Sequence, residues 1–217
     1  MMLWPKFFVI VCASYVLGSI PYGFIIAKLF KKIDIRTVGS GNVGAKNLAR
    51  VLGRRWGIIT FLMDALKGSV AVITAHLIMR EYKYFQPSIY EMGLIVAGLF
   101  SVIGHNWTIL LGFKGGKGLS TSIGVLLALS LFLPYLRVIS FAGIGTFVIA
   151  FLVLKNHFIS ASLAIVIYFL LCFIYPLINI QYKIFIFLLS FILLVRHTDN
   201  FKDISKKYRA QALKNAE

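Results

Sequence analysis

Three short polar segments of this otherwise apolar chain contain the residue types that bind and transfer charged groups. They are residues 38–50 (VGSGNVGAKNLAR), 112–118 (GFKGGKG) and 196–200 (RHTDN). Glycine-rich turns allow backbone N–H groups to approach an anion closely, and Lys and Arg side chains add positive charge. A histidine at a membrane edge can serve as a general base or a hydrogen-bond donor. The three segments therefore predict an anion-binding site with a group that can move a proton.

The segment at residues 38–50 combines glycines with polar side chains. Its glycines match the G-x-G-x-x-G spacing of dinucleotide-binding folds, but that motif requires a βαβ unit, and here apolar segments flank it. A helix that begins near Val43 would instead place Lys46, Asn47 and Arg50 on one face. A flexible loop whose cations only follow the positive-inside rule is the alternative, but it does not explain this helical register. The candidate ligand-binding residues are the glycines and polar residues of the segment: Gly39, Ser40, Gly41, Asn42, Gly44, Asn47 and Arg50.

The segment at residues 112–118 places four glycines and two lysines directly before another apolar run. It does not fit the P-loop pattern GxxxxGK[ST], because Leu111 and Gly118 stand where that pattern requires Gly and Ser or Thr. A tight turn between two spans is the alternative, but one or two glycines would suffice for it. We therefore expect a nest of backbone N–H groups for an anion. Its candidate residues, together with the preceding histidine, are His105, Lys114, Gly115, Gly116, Lys117 and Gly118.

The segment at residues 196–200 contains the candidate acid–base group. His197 and Asn200 are three positions apart, so on a helix they share one face. His197 would act as a general base or donor, and Asn200 would fix its geometry. A capped helix end in a solvated tail is an equally good interpretation of this stretch when it is considered alone.

Asp64 and Lys67 are two charged residues within one apolar segment. Both would be costly in lipid unless they pair or face the interior of a helix bundle. Because no nucleophile lies near them in the sequence, we expect a structural ion pair rather than a catalytic role.

The elements that must position these residues are membrane-spanning helices. Of the 217 residues, 59% are hydrophobic and 14% charged, whereas a soluble domain has about 25% charged residues. This composition excludes a soluble globular enzyme. Apolar runs of about 20 residues predict an all-α integral membrane protein, a bundle of seven transmembrane helices. The candidate spans are residues 7–30, 57–79, 92–112, 119–136, 138–154, 160–179 and 184–200. The last one crosses only if its helix continues through Arg196 and His197.

The charge distribution predicts the orientation of the bundle. The net charge is +16, and with the N-terminus outside, most Lys and Arg residues fall on the inner side. The few that fall outside are Lys6, Arg80, Lys83, Arg137 and Lys183. The positive-inside rule therefore predicts an outer N-terminus and a cytoplasmic C-terminus, with all three polar segments on the cytoplasmic face. We expect one membrane-embedded domain over residues 1–217, in which residues 201–217 form a short basic tail.

In this order, and with GHN at residues 104–106, the three segments resemble the bacterial acyl-phosphate:glycerol-3-phosphate acyltransferases, the PlsY family. The resemblance runs along nearly the whole chain. It implies an enzyme of the bacterial inner membrane that transfers a fatty acyl group from acyl phosphate to the sn-1 hydroxyl of glycerol 3-phosphate. The product would be lysophosphatidic acid for phospholipid synthesis. The resemblance also suggests a functional link to the enzyme that makes acyl phosphate.

The same resemblance implies roles for individual residues. Lys46 departs from the family pattern, which has a small hydroxyl or apolar residue there, and it adds a positive charge beside the site. The catalytic residues that the resemblance implies are Ser40, Arg50, Lys117, His197 and Asn200.

The composition of the chain agrees with this chemistry. Acyl phosphate is a mixed anhydride with a good leaving group, so direct attack by the glycerol hydroxyl requires neither a protein nucleophile nor a cofactor. Cys12 and Cys172 both lie within apolar segments, where a thiol is unreactive. Metal-dependent transfer would need clustered carboxylates, and nucleic-acid binding would need aromatic platforms outside the membrane. We therefore expect neither a metal nor a nucleic-acid partner.

Two other classes of protein are weaker interpretations. An anion transporter would place its binding groups near the bilayer midplane, often within inverted repeats, whereas these groups cluster at one face. A lipid enzyme that uses acyl-CoA, or that transfers a phospho-alcohol, is the nearer alternative.

Overall fold

Every regular element that the structure describes is helical. The computed structural model describes residues 3–176 and 178–214, without the side chains of His157 and of residues 199–214. Short 3-10 turns lie at Ile35–Thr37, Ile109–Leu111 and Pro134–Leu136. The α-helices, in chain order, are α1 Leu3–Ser19, α2 Tyr22–Lys31, α3 Ala45–Leu52, α4 Arg54–Met79, α5 Tyr82–Phe85, α6 Pro87–Asn106, α7 Leu119–Phe132, α8 Arg137–Leu154, α9 His157–Ile174 and α10 Ile180–Lys214.

Within the described residues, five helical segments are long and apolar enough to cross a bilayer, which agrees with an all-helical membrane protein but leaves the seven spans a prediction. The five segments are Leu3–Lys31, Arg54–Met79, Pro87–Leu111, Pro134–Leu154 and Ile180–Thr198. The spans predicted at residues 119–136 and 160–179 are shorter helices, Leu119–Phe132 and Phe158–Ile174. Both end early for the same reason: a proline two residues beyond the helix disfavours helical backbone at the residue between them, Leu133 or Tyr175.

The first predicted span, residues 7–30, is a broken helix rather than a continuous one. α1 ends at Ser19 and α2 begins at Tyr22, because Pro21 lacks an N–H and disfavours helical backbone at Ile20. Side chains from other parts of the chain donate to carbonyl oxygens at the break. Thr108 Oγ1 donates to the Ser19 oxygen over 2.5 Å, and Lys67 Nζ donates to the Ile20 oxygen over 2.7 Å. These two bonds anchor the break, where the chain turns toward the first polar segment.

The last predicted span, residues 184–200, lies within one long helix. α10 continues through Arg196 and His197 without interruption, which is the condition that its crossing required. Arg196 is partly buried against protein backbone, and His197 is buried. The backbone stays helical to Lys214, so the predicted tail begins as a continuation of α10. The side chains of residues 201–214 lie outside the described part of the structure.

Helix α4 packs against α1, α2, α3, α6 and α7. Small residues bring these helices close together: a Cβ at Gly18, Gly68 or Gly124 would collide with the backbone of the neighbouring helix. Because lipid tails are as apolar as the side chains, helices in a bilayer associate through such close packing rather than through the hydrophobic effect. The glycines therefore set the helix spacing that the site requires.

The first polar segment has an apolar core of its own, apart from the main one. This second cluster holds α2 and α3 against the 3-10 turn between them, so that the loop joining α2 to α3 is anchored on both sides. The buried residues of the cluster are Ile26, Ala27, Ile35, Val43, Leu48 and Leu111.

The close α4–α7 contact provides a test of this packing. In the substitution Gly124→Ala, the added methyl group would meet the Ala65 backbone, so we expect a destabilisation of about 1–3 kcal/mol. The matched control is Gly145→Ala in α8, where an added Cβ meets nothing within 4 Å. Thermal unfolding in detergent should show a lower midpoint for the first variant and no loss for the second. Equal midpoints would contradict close packing at Gly124.

Candidate active site

The three predicted segments meet around one cavity of about 1130 Å³. It lies between the loop that joins α2 to α3, the loop that joins α6 to α7, and α10. Gly116 does not line it, and the side chain of Asn200 lies outside the described residues. The roles of the individual residues stay predictions. Those predicted site residues that line the cavity are Gly39, Ser40, Gly41, Asn42, Gly44, Asn47, Arg50, His105, Lys114, Gly115, Lys117, Gly118 and His197.

Asn47 shapes the first loop from within. Its Oδ1 accepts from the backbone N–H of Ser40 over 2.8 Å, and its Nδ2 donates to the oxygens of Ile35 and Val38 over 3.2 and 3.0 Å. Both N–H bonds of the amide are therefore used by the protein. Asn47 therefore braces the loop in this structure, and its predicted role as a phosphate ligand stays a prediction.

The backbone of the first loop requires glycine at two positions. Gly39 and Gly41 have φ angles of 64° and 69°, in the left-handed region that other residues rarely adopt. A Cβ at Gly39 would also collide with Asn47 Oδ1. The turn that these glycines allow brings Ser40 to the wall of the cavity, which Arg50 of α3 also lines.

The second loop is held between α6 and α10. The N–H groups of Gly115 and Gly116 donate to the oxygens of Asn106 and His105 over 3.1 and 3.0 Å. On the other side, Arg196 Nη2 donates to the oxygens of Gly115 and Gly116 over 3.1 and 2.9 Å. Both of these N–H groups are therefore paired within the protein in this structure, and the predicted anion-binding role of Gly115 and Gly116 stays a prediction.

The anion-binding groups that this loop offers are its lysines and the start of α7. Lys114 and Lys117 line the cavity, as do Gly118, Leu119 and Ser120. Gly118 has a φ of 82° and directly precedes α7, whose first turn is not capped by any described side chain. The first N–H groups of a helix have no partner within it and carry a partial positive charge. An anion in the cavity can accept from them.

His197 is oriented by two contacts. Its Nδ1 lies 2.7 Å from the Leu193 carbonyl oxygen and must carry the hydrogen of that bond. The ring of Phe158 stacks on the imidazole at a centroid distance of 5.6 Å. In the neutral histidine, the remaining nitrogen, Nε2, is therefore an acceptor that can receive a proton.

Several cavity residues were not singled out by the sequence patterns. Arg196 stands in the third segment, but nothing in the sequence indicates that it holds the second loop. Asp34 and Arg36 pair at 2.7 Å on the cavity wall, and this guanidinium lowers the pKa of the Asp34 carboxyl to about 2. Asp64 was expected to be structural, but it also lines the cavity. A charged residue inside a predicted span is the signal that could have marked it.

The wall of the cavity is strongly cationic. The two carboxylates that line it among the described residues, Asp34 and Asp64, are both paired with basic side chains. An anionic ligand fits this balance of charge. The basic residues of the cavity wall are Arg36, Lys46, Arg50, Lys114, Lys117 and Arg196. The fold and the cavity together define an integral membrane protein with a cationic cavity between its helices.

Comparison with known proteins identifies the family. A family model described as glycerol-3-phosphate acyltransferase matches residues 8–207. The protein of that name from Staphylococcus aureus (strain Newman) is 38% identical over 198 residues, 90% of this chain and 93% of the relative. The one from Acholeplasma laidlawii is 44% identical over 141 residues, 64% of this chain but only 57% of that relative. The chain therefore belongs to the glycerol-3-phosphate acyltransferase family.

Solved structures agree with this assignment. The crystal structure of PlsY (YgiH), an integral membrane glycerol 3-phosphate acyltransferase, in its glycerol 3-phosphate form matches with a TM-score of 0.79 and 30% identity. The match covers 93% of this chain and 92% of that one. The lysophosphatidic acid form matches with a TM-score of 0.76. The predicted family, the enzyme class and the multi-pass membrane fold are thereby confirmed: the chain is an integral membrane acyltransferase.

The brace formed by Asn47 leads to a prediction for the first loop. Asn47→Ala would leave three backbone groups of the loop without their partner, so we expect a loss of about 1–3 kcal/mol and a fall in acyltransferase activity. The matched control, Asn42→Ala, removes a single bond to the Gly44 N–H and should cost about 1 kcal/mol or less. Thermal midpoints and turnover in detergent measure both effects. Wild-type values for Asn47→Ala would show that the brace is dispensable.

Proposed function

We propose that this chain transfers a fatty acyl group from acyl phosphate to the sn-1 hydroxyl of glycerol 3-phosphate, giving lysophosphatidic acid for phospholipid synthesis. The observation that carries the proposal is the convergence of all three polar segments on one cationic cavity. Both substrates carry phosphate, and the cavity offers Arg50, Lys114, Lys117 and the start of α7 to bind it. The glycerol 3-phosphate form of the solved relative supports the choice of acceptor.

The proposed reaction is a direct transfer without an acyl-enzyme. The sn-1 oxygen of glycerol 3-phosphate attacks the acyl carbon, a C–O ester bond forms, and the bond from that carbon to the phosphate oxygen breaks. The hydroxyl proton passes to His197 Nε2 or to a phosphate oxygen, since the second pKa of a phosphate monoester is about 6. Lys117 and Arg50 would stabilise the charge that develops on the carbonyl oxygen and on the leaving phosphate. Neither Cys12 nor Cys172 lines the cavity.

The choice of acyl donor tests the proposal most directly. Purified protein is supplied with labelled glycerol 3-phosphate and with palmitoyl phosphate, palmitoyl-CoA or a palmitoyl thioester of acyl carrier protein. We expect rapid formation of lysophosphatidic acid from palmitoyl phosphate alone. The protein should keep its unmodified mass when palmitoyl phosphate is given without acceptor. Equal use of palmitoyl-CoA would reject the donor, and an acylated protein in the mass spectrum would reject direct transfer.

His197 is the residue whose proposed role is easiest to isolate. General-base assistance contributes about 10²–10⁴-fold, so His197→Ala should lower kcat by about that factor while the protein remains folded and membrane-inserted. The matched control is His76→Ala in α4, which removes a histidine bonded to the Tyr90 hydroxyl outside the cavity. This control should retain nearly full kcat. Near-normal turnover by His197→Ala would exclude the proposed role.

We further propose that the chain spans the bacterial inner membrane seven times, with its N-terminus outside and the cavity facing the cytoplasm. The two short apolar helices, α7 and α9, would complete the seven crossings by local thinning of the bilayer. The basic residues of the cavity wall support the orientation. A reporter fused after Glu217 should report a location on the cytoplasmic side of the membrane. A location on the outer side would show that the proposed orientation is wrong. A cytoplasmic cavity would receive acyl phosphate from the enzyme that makes it.

A further inference from the structure

Three ionisable side chains lie together inside the helix bundle, between the two glycine loops. They are Asp64 and Lys67 of α4 and His105 of α6, with exposed fractions of 2%, 3% and 6%. Ionisable groups buried in a membrane protein are costly unless they serve a purpose and are paired. The proposed acyl transfer does not use Asp64 or Lys67, so their retention inside the bundle requires a separate explanation.

Asp64 lies between the other two side chains. Its Oδ1 is 2.9 Å from Lys67 Nζ and 3.5 Å from His105 Nδ1. His105 Nδ1 is buried and has no hydrogen-bond partner among the described residues, so the Asp64 carboxylate is the charged group that faces it. The carboxylate thus pairs with a lysine on one side and faces an imidazole nitrogen on the other.

Lys67 connects this cluster to the first loop. Its Nζ donates to the Ile20 oxygen at the break between α1 and α2, and so holds the start of α2. α2 leads into the first loop and packs on it closely, since a Cβ at Gly23 would collide with the Val43 backbone oxygen. The position of Lys67 therefore influences where the first loop stands relative to α4.

His105 connects the cluster to the second loop. Its backbone oxygen accepts from the Gly116 N–H, and a Cβ at Gly116 would collide with its imidazole. The loop that carries Lys114 and Lys117 thus packs against the imidazole of His105, whose Nδ1 faces Asp64. A rotation of that ring would displace the loop.

From this geometry we infer that Asp64 is a positioning residue for the anion site: through Lys67 and His105 it sets the relative position of the two glycine loops. The sign of its charge argues for an indirect role. A carboxylate on the wall of a cavity for phosphate repels the ligand, so its favourable contribution must come from the cationic and donor groups that it holds. The inference rests on the proposed function, because it assigns the loops to the phosphates of the substrates.

The test separates phosphate binding from folding. Asp64→Asn should raise the KM for glycerol 3-phosphate about tenfold, within the effect typical of residues that orient a ligand-binding shell. Because this variant leaves Lys67 as an unpaired buried charge, the double variant Asp64→Asn/Lys67→Met, which removes both charges, is measured beside it. This double variant also loses the Lys67 bond to the Ile20 oxygen, so its thermal midpoint should lie between those of Asp64→Asn and wild type, and it should still show the raised KM. A double variant with wild-type KM and kcat would overturn the inference and leave only a structural ion pair.

The route through His105 is tested by a double-mutant cycle. His105→Asn should raise the same KM, and Asp64→Asn should add little to it in that background, since both changes release the same ring. Fully additive effects on KM would reject the route. The matched control is Ser69→Ala, which removes a cross-helix bond from α4 to the Gly124 oxygen, outside the cavity, and should leave KM and kcat unchanged.

The same measurements distinguish the two proposals from each other. If wild-type protein does not acylate glycerol 3-phosphate with palmitoyl phosphate, the proposed function fails. If wild-type protein is active but the double variant has an unchanged KM, only the positioning role of Asp64 fails.

Discussion

The structure depends on one constraint: inside a bilayer, every polar group of the backbone must find its partner within the protein. The break between α1 and α2 illustrates it, because Pro21 frees carbonyl oxygens at membrane depth. Lys67 of α4 and Thr108, which lies just after α6, supply the missing donors. A break that would be costly in lipid thus becomes a junction between α1, α4 and the loop after α6. The chain can then leave the helical path and form the first glycine loop.

The same constraint commits several donors at the cavity wall to the protein itself. Asn47 and the N–H groups of Gly115 and Gly116 are consumed in fixing the two loops. Arg196 is a cation of the cavity wall, yet it donates to the glycine carbonyl oxygens of the second loop. What faces the cavity in addition is a set of lysines, Arg50, Ser40 and the start of α7. A rigid frame of satisfied backbone therefore holds a smaller set of groups suited to an anion.

This division explains why the site needs both many glycines and several buried polar residues. Glycines at positions 39 and 41 allow left-handed turns, whereas those at 115 and 116 permit close contact with α6. The polar residues then fix loops that have few side chains of their own to pack. His197 follows the same logic: its Nδ1 is bound to the Leu193 oxygen and its ring stacks on Phe158, so a single nitrogen is left for chemistry.

The sequence by itself determined the membrane class, the helical fold and the three segments that form the cavity. Composition and apolar run length decide the first two, because they reflect the solvent around the protein rather than any particular contact. The predicted spans were longer than helices α7 and α9, and the break at Pro21 was missed. The conformational limits of proline could have located both helix ends and the break. Only the tertiary structure decided that Gly115 and Gly116 donate to α6, that Asn47 braces its own loop, and that Asp64 faces His105. Those outcomes depend on which backbone groups from distant parts of the chain meet, and local spacing carries no information about such pairings.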